Sequence, residues 1–191
     1  MHIAIEGLDG VGKTSAAKLL AEKLGFLFVE KPMRFFTDGG EDMQNYLRLT
    51  SWLNSAASNA LKACFYGCGN LLISTMYGDR NIVTDRHLAS NYYWNGDIEN
   101  GSVFDYLVRS AGIPDLTVVL YATPDIRRRR IVGRDQNDSD IQKFASTPPD
   151  AYEKMELFIK RYNMPYIVFD NSSMDIAQTV EQIFTLVKNI G

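Results

Sequence analysis

Five short apolar runs recur along the chain, and the sequence between them shifts to helical spacing. His2-Ile3-Ala4-Ile5, Phe26-Leu27-Phe28-Val29, Asn81-Ile82-Val83-Thr84, Leu116 to Tyr121 and Tyr166-Ile167-Val168-Phe169 have strand length. The run "LTVVLY" is almost continuously apolar, the pattern of a strand covered on both faces. Between the first two runs, Ala16, Ala17, Leu19, Leu20 and Leu24 repeat at helical intervals. A longer helical stretch is predicted from about Met43 to Met76, broken or bent near Ser51-Trp52 and again near Gly67–Gly69. Strands alternating with helices argue an α/β fold, a five-stranded parallel sheet flanked by helices on both faces. No repeat, low-complexity tract or linker interrupts the pattern. A single domain over residues 1–191 is expected, long enough for a sizeable core.

The turn after the first run carries the most specific chemistry. Gly7, Gly12, Lys13 and Thr14 in "GLDGVGKT" fit G-x-x-x-x-G-K-[ST], with a strand before and a helix after. Such a turn aims backbone N–H groups and the positive end of a helix at an anion. Gly7, Leu8, Asp9, Gly10, Val11, Gly12, Lys13, Thr14 and Ser15 are therefore the expected nucleotide-binding loop. Lys13 would reach the β- and γ-phosphates, and the Thr14 hydroxyl would ligate Mg²⁺. In a parallel sheet, ligands sit beyond the carboxyl ends of the strands, which gathers Asp9, Glu30, Asp85 and Arg86 at one mouth. An arginine straight after a strand-ending aspartate suits a bidentate grip on phosphate. Asp85 suits a Mg²⁺-bound water. A local salt bridge capping the next helix is the competing reading of that pair.

Farther along, "TPDIRRRRIVGRDQNDSD" opens with Thr123 as a helix N-cap and Pro124 at the first helical position. Arg130 and Arg134 share a face, with Arg127 three residues before Arg130. The segment from about 133 to 147 is rich in Asp, Asn and Ser without apolar spacing, and is expected to be a mobile lid. Phosphoryl transfer needs cations around the migrating group, which these arginines can supply. A solvated helix face and a nucleic-acid patch compete with that reading, but the formal net charge of −3 weakens the second.

Hydrophobic content of 46% and charged content of 23% fit a soluble globular protein. No apolar run nears the ~20 residues of a membrane span, and the chain enters its first strand directly, so neither a span nor a signal peptide is expected. Only two cysteines occur, which suits a reducing cytoplasm. Zinc at Cys64 and Cys68 would need about two more ligands, and the only histidines are His2 and His87. The cysteines are expected to pack in the core.

These motifs together resemble the bacterial thymidylate kinases, in the nucleoside monophosphate kinase branch of phosphate-loop proteins. "EGLDGVGKT" is similar to the family's E-G-x-[DE]-G-x-G-K-[ST]. "DRHLASNYYWNG" resembles its D-R-[YH]-x-x-S-x-x-A-Y-Q, matching at Asp85, Arg86, His87 and Ser90. "YATPDIRRRRIVGR" resembles its strand, helix and lid entry, and "RYNMPYIVFDNSSMDIAQTVEQI" its terminal strand and helix. The resemblance implies that Lys13 and the loop amides hold the phosphates of ATP, with Thr14 and Asp85 at Mg²⁺. It implies Asp9 near the acceptor's sugar and phosphate, Arg86 on the acceptor phosphate, and Arg130 and Arg134 as lid-side cations. Phe65 matches an aromatic that stacks on thymine, Asn91 lies where some members contact the base, and Ser90 and Trp94 fall in the segment beside the acceptor. A homodimer and a small-molecule nucleotide substrate are implied as well.

Four departures touch the acceptor side. Gly69 stands where the family usually has a base-reading arginine, a change that forfeits about 1.5–3 kcal/mol of recognition. Tyr93-Trp94-Asn95 replaces A-Y-Q, Glu30-Lys31-Pro32 replaces R-E-P, and Ser139 after Asp138 replaces a lid arginine. The expected activity is transfer of the ATP γ-phosphoryl group to dTMP or a related nucleoside monophosphate. A deoxynucleoside kinase with Glu30 as general base is the alternative, and a nucleotide-binding regulator without activity is a third class.

Overall fold

Strand β1 (His2–Gly7) is the axis of the molecule: β3 (Ile82–Asp85) pairs on one side and β4 (Leu116–Tyr121) on the other. Outside them lie β2 (Leu27–Val29) and β5 (Tyr166–Asp170), giving the order β2-β3-β1-β4-β5. Every pairing is parallel. Ile5 pairs with Asp85 and Gly7 with Leu120, so the glycine turn and the end of β3 emerge at the same edge of the sheet. This computed structural model describes residues 1–38, 43–134, 141, 144, 147 and 150–190. Of Asp38, Arg134 and Ile190 only the backbone is described.

The helices whose bounds lie among the described residues are α1 (Lys13–Leu24), α2 (Arg34–Asp38), α3 (Gln44–Ala56), α4 (Asn59–Tyr77), α5 (Leu88–Asn95), α6 (Gly101–Ala111), α7 (Pro124–Arg134), α8 (Ala151–Arg161) and α9 (Ile176–Ile190). Helix α1 packs against α9, while α5 packs against α4, α6 and α8. An aromatic cluster fixes α5: the Tyr92 ring stacks on Phe158 of α8 at 4.5 Å and meets Phe104 of α6 edge-on at 5.0 Å. Phe104 and Phe158 are fully buried, and truncating either to alanine would cost about 3–5 kcal/mol. Strands β1 and β4 are buried along nearly their whole length, as the apolar run of β4 requires. No helix among the described residues is long and apolar enough to cross a membrane.

Three expectations change. The helical stretch breaks at Ala57-Ser58, not at Ser51-Trp52, because Ser58 is an N-cap whose Oγ accepts from Leu61 N at 3.3 Å. Helix α4 also runs unbroken through Gly67–Gly69. Its glycines make room instead: a Cβ at Gly67 would stand 2.5 Å from Leu107 Cδ1, and one at Gly69 3.0 Å from Pro32 Cγ. Finally, Cys64 and Cys68 are exposed rather than in the core. The buried residues of α4 are Ala63, Gly67, Gly69, Asn70 and Ile73, and each cysteine sits one residue, about 100°, from the stripe of Ala63, Gly67, Asn70 and Ile73.

Candidate active site

The phosphate loop is held open by backbone geometry. Gly12 is the N-cap of α1 at φ 93°, a left-handed conformation that suits glycine, and no side chain caps the helix. The first amides of α1 are thereby left for an anion. At the loop's mouth Lys13 is buried, with Nζ donating to Leu8 O at 2.7 Å and lying 3.7 Å from Asp9 Oδ1. Burial pushes the Lys13 ammonium down to about 8, and Arg86 adds to this, while Asp9, Asp85 and Glu6 oppose it.

Asp9 stands among cations. Its carboxylate accepts from Arg86 Nη2, and its carbonyl accepts from Arg127 Nε at 2.8 Å. Arg86 has φ 72°, a strained conformation for an arginine, and it occurs where β3 hands over to α5. Its backbone N donates to Ile5 O at 3.0 Å and its Nη1 to Ser90 Oγ at 3.4 Å. Burial works against the Arg86 charge, but Asp9, Asp85 and Glu6 outweigh it and hold the guanidinium above its ordinary value. On the loop's other side Thr14 Oγ1 donates to Asp85 Oδ2 at 2.5 Å. Asp85 Oδ1 is buried with no partner among the described residues.

Beyond Asp9 and Arg86 opens a cavity of about 460 Å³. Glu30 and Pro32 line it from the turn after β2, Tyr66, Gly69 and Asn70 from α4, and Ser90, Asn91, Trp94 and Asn95 from α5. Asp9, Glu30, Asp85 and Arg86 do meet at one mouth, as the strand-end argument expects. Phe65 is not among the lining residues; Tyr66, one residue on, is. The reason is again the 100° step of a helix. Asn91 reaches the cavity, but its Nδ2 donates to Ala63 O at 3.0 Å and its Oδ1 accepts from Asn95 Nδ2 at 3.0 Å. It braces α5 against α4.

The arginine helix divides its labour differently from the expectation. Arg130 gives its guanidinium to Val11 O, to Asn171 Oδ1 and O, and to Met174 O, at 2.9–3.4 Å. It ties the phosphate loop to the turn after β5, because α7 lies alongside both, and so acts as a positioning residue. Arg127 is buried, with its guanidinium over the Phe144 ring at 5.0 Å, while Arg128 and Arg129 are exposed. The Arg134 side chain, Asp138, Ser139 and most of the segment 133–147 lie outside the described residues.

Sequence reasoning passed over Glu6. Its carboxylate accepts from the backbone N of His87 at 2.9 Å, from Ser90 N at 3.2 Å and from the Ser90 hydroxyl, pinning the start of α5 to β1. Burial raises the Glu6 carboxyl, and the Ser90 hydrogen bonds and Arg86 pull it back. The available signal was a charge inside an apolar strand, which is kept only when it is paired.

The sequence model of the family described as Thymidylate kinase matches residues 5–183. The probable thymidylate kinase of Methanococcus maripaludis (strain C7 / ATCC BAA-1331) is 25% identical, covering 97% of this chain and 94% of its own. The thymidylate kinase of Mycoplasmopsis agalactiae is 25% identical, covering 96% and 92%. Among solved structures, deoxyadenosine kinase from M. mycoides with bound dCTP is similar in fold, with a TM-score of 0.64, 19% identity and coverage of 99% and 100%. YorR protein from Bacillus subtilis, in complex with phosphorylated GDP, gives a TM-score of 0.62 at 14% identity, covering 98% and 96%. With its phosphate loop, its strand-end Asp85-Arg86 and a family match along almost the full length, the chain belongs to the thymidylate kinase family.

Proposed function

We propose that the protein moves the γ-phosphoryl group of ATP onto a nucleoside monophosphate, with dTMP as the acceptor, to give the diphosphate. The placement of Arg86 carries this reading. It is a guanidinium held charged on the wall shared by the phosphate loop and the cavity. Such a cation suits an acceptor that brings its own phosphate, and a phosphate oxygen is already anionic and needs no general base. The names of the relatives support the same acceptor. Lys13 and the loop amides would hold the donor phosphates and stabilise charge on the migrating group.

Thr14 and Asp85 fit Mg²⁺, since a hydroxyl and a carboxylate meet there with one buried oxygen left over. When bound, the ion neutralises charge on the β- and γ-phosphate oxygens. The segment 133–147, by its Asp, Asn and Ser content, is the part of this single domain that would close over the nucleotides. The protein would work in the cytoplasm as a homodimer. Exposed Leu61, Cys64, Cys68 and Met76 supply one apolar face of α4 for a second copy. Leu61→Glu should then yield monomers in light scattering.

A second reading has its own observation. Glu30 lines the cavity, with its Oε2 3.7 Å from Lys31 Nζ, and a general base there would suit a nucleoside 5′-hydroxyl. The two separate in one assay, ADP release with Mg·ATP and a panel of nucleosides and their monophosphates. Monophosphates should outperform their nucleosides, and Glu30→Gln should lower kcat by less than the ~10²-fold typical of a lost general base. Faster turnover of nucleosides, with collapse in Glu30→Gln, would reverse the assignment.

A further inference from the structure

We infer that Asn70 reads the base of the acceptor, by presenting a hydrogen-bond acceptor and donor side by side on its amide. This rests on the proposed nucleotide acceptor and adds to it the group that recognises the base. Asn70 is buried at 6% exposure, lies on the inward stripe of α4 and lines the cavity. Its Oδ1 has no hydrogen-bond partner among the described residues. A buried amide oxygen in that condition calls for a donor from a ligand.

The neighbouring groups narrow the choice. Asn91 spends both ends of its amide on Ala63 O and Asn95, and the Asn95 Nδ2 is spent on Asn91. Gly69 offers no side chain, and Pro32 and Met33 crowd the place where one would begin. Tyr66 precedes Asn70 by four residues and lines the same cavity, so an aromatic face and an amide stand one turn apart on one helix face. An amide of this kind pairs with a base edge that shows an N–H next to an acceptor, which in thymine is N3–H beside O4. The ligand class is thus a nucleobase with that edge unblocked.

Methylation at N3 deletes the donor and puts a methyl group against Oδ1. The full-length protein should therefore use dTMP about 10- to 100-fold better in kcat/KM than N3-methyl-dTMP, the range set by leaving a buried polar group unpaired. In Asn70→Leu that ratio should fall close to one, through the acceptor KM, with the KM for ATP unmoved. Asn70→Asp keeps an acceptor for N3–H but turns a second oxygen towards O4, so it should raise the KM for dTMP and leave the KM for ATP unmoved. An unchanged methyl discrimination in Asn70→Leu that melts like wild type, or an unchanged KM for dTMP in Asn70→Asp, would overturn the assignment. Should the protein phosphorylate nucleosides instead, the acceptor reading fails, while thymidine against N3-methylthymidine still decides Asn70. Calorimetric binding of the same pairs gives that ratio without turnover, and equal affinities in wild type would also overturn it.

Discussion

The donor side and the acceptor side of this site are built by different means. Around the phosphates the parts are backbone: a left-handed Gly12, open amides at the start of α1, and strand ends placed by parallel pairing. Around the cavity the parts are side chains on the inward faces of α4 and α5. A loop anchored by glycine spacing carries its geometry in the motif itself. A helix face does not, since an error of one residue turns a side chain by about 100°. Chemistry shared by many kinases therefore sits on rigid backbone, and discrimination between acceptors sits where single substitutions can change it.

That contrast can be tested from its strong end. Lys13→Ala should lower kcat on the order of 10²–10³-fold for every acceptor alike, as expected for removing one charge-stabilising donor, with the melting temperature retained. Selective loss for one acceptor would move Lys13 to the other side of the comparison. Arg86→Ala should raise KM for the monophosphate by about 10- to 100-fold and leave KM for ATP nearly unchanged, since it removes a charge-assisted phosphate contact. Equal losses for both ligands would mean that its pairing with Asp9 is merely structural.

Acid should also act on the acceptor side. His87 opens α5 directly after Arg86, buried, with both ring nitrogens unpartnered among the described residues and its ring edge-on to His2 at 4.8 Å. Burial lowers both rings, His2 to about 4 with Asp115 partly opposing, and His87 well below its ordinary value. The unfolded chain binds these protons below about pH 6.5 and the folded chain does not, so stability falls as pH drops from 6.5 towards 4. The slope is about 1.4 kcal/mol per pH unit for each ring. His87→Phe should flatten the acid limb of a melting curve against pH, and an unaltered slope would remove His87 from this account. The smallest effect compares neighbours on α4: Tyr66→Leu should weaken acceptor binding by about 0.5–1.5 kcal/mol, and Phe65→Leu should leave it alone. The opposite result would restore Phe65 as the stacking residue.

The five-stranded parallel sheet and the phosphate loop were readable because each rests on local signals: apolar runs, glycine spacing and a lysine at a fixed offset. The order β2-β3-β1-β4-β5 was not, since no local signal sets which strands pair. The meeting of Asp9, Asp85 and Arg86 followed from the parallel sheet alone. What stayed hidden depends on which way helices turn. The break at Ser58 was carried by a single cap, while Gly67 and Gly69 looked like bends and are in fact sites of close packing. Arg130 looked like a cation for phosphate because its face was right, but nothing local reveals that Asn171, forty-one residues later, folds back to take its bonds. Asn70 could have been singled out as the one polar residue on an otherwise small and apolar stripe of α4.

The contact of Gly69 with Pro32 sets the order in which this acceptor pocket can be re-engineered. Any side chain at position 69 starts 3.0 Å from a rigid proline ring and 3.3 Å from Met33 Cγ. A replacement at that position alone asks Pro32 or Met33 to give by a few tenths of an ångström, whatever base is selected for. Opened together with positions 32 and 33, the same position becomes a usable coordinate. The two sites are thus epistatic, and the short route to a new base preference in the laboratory runs through position 70.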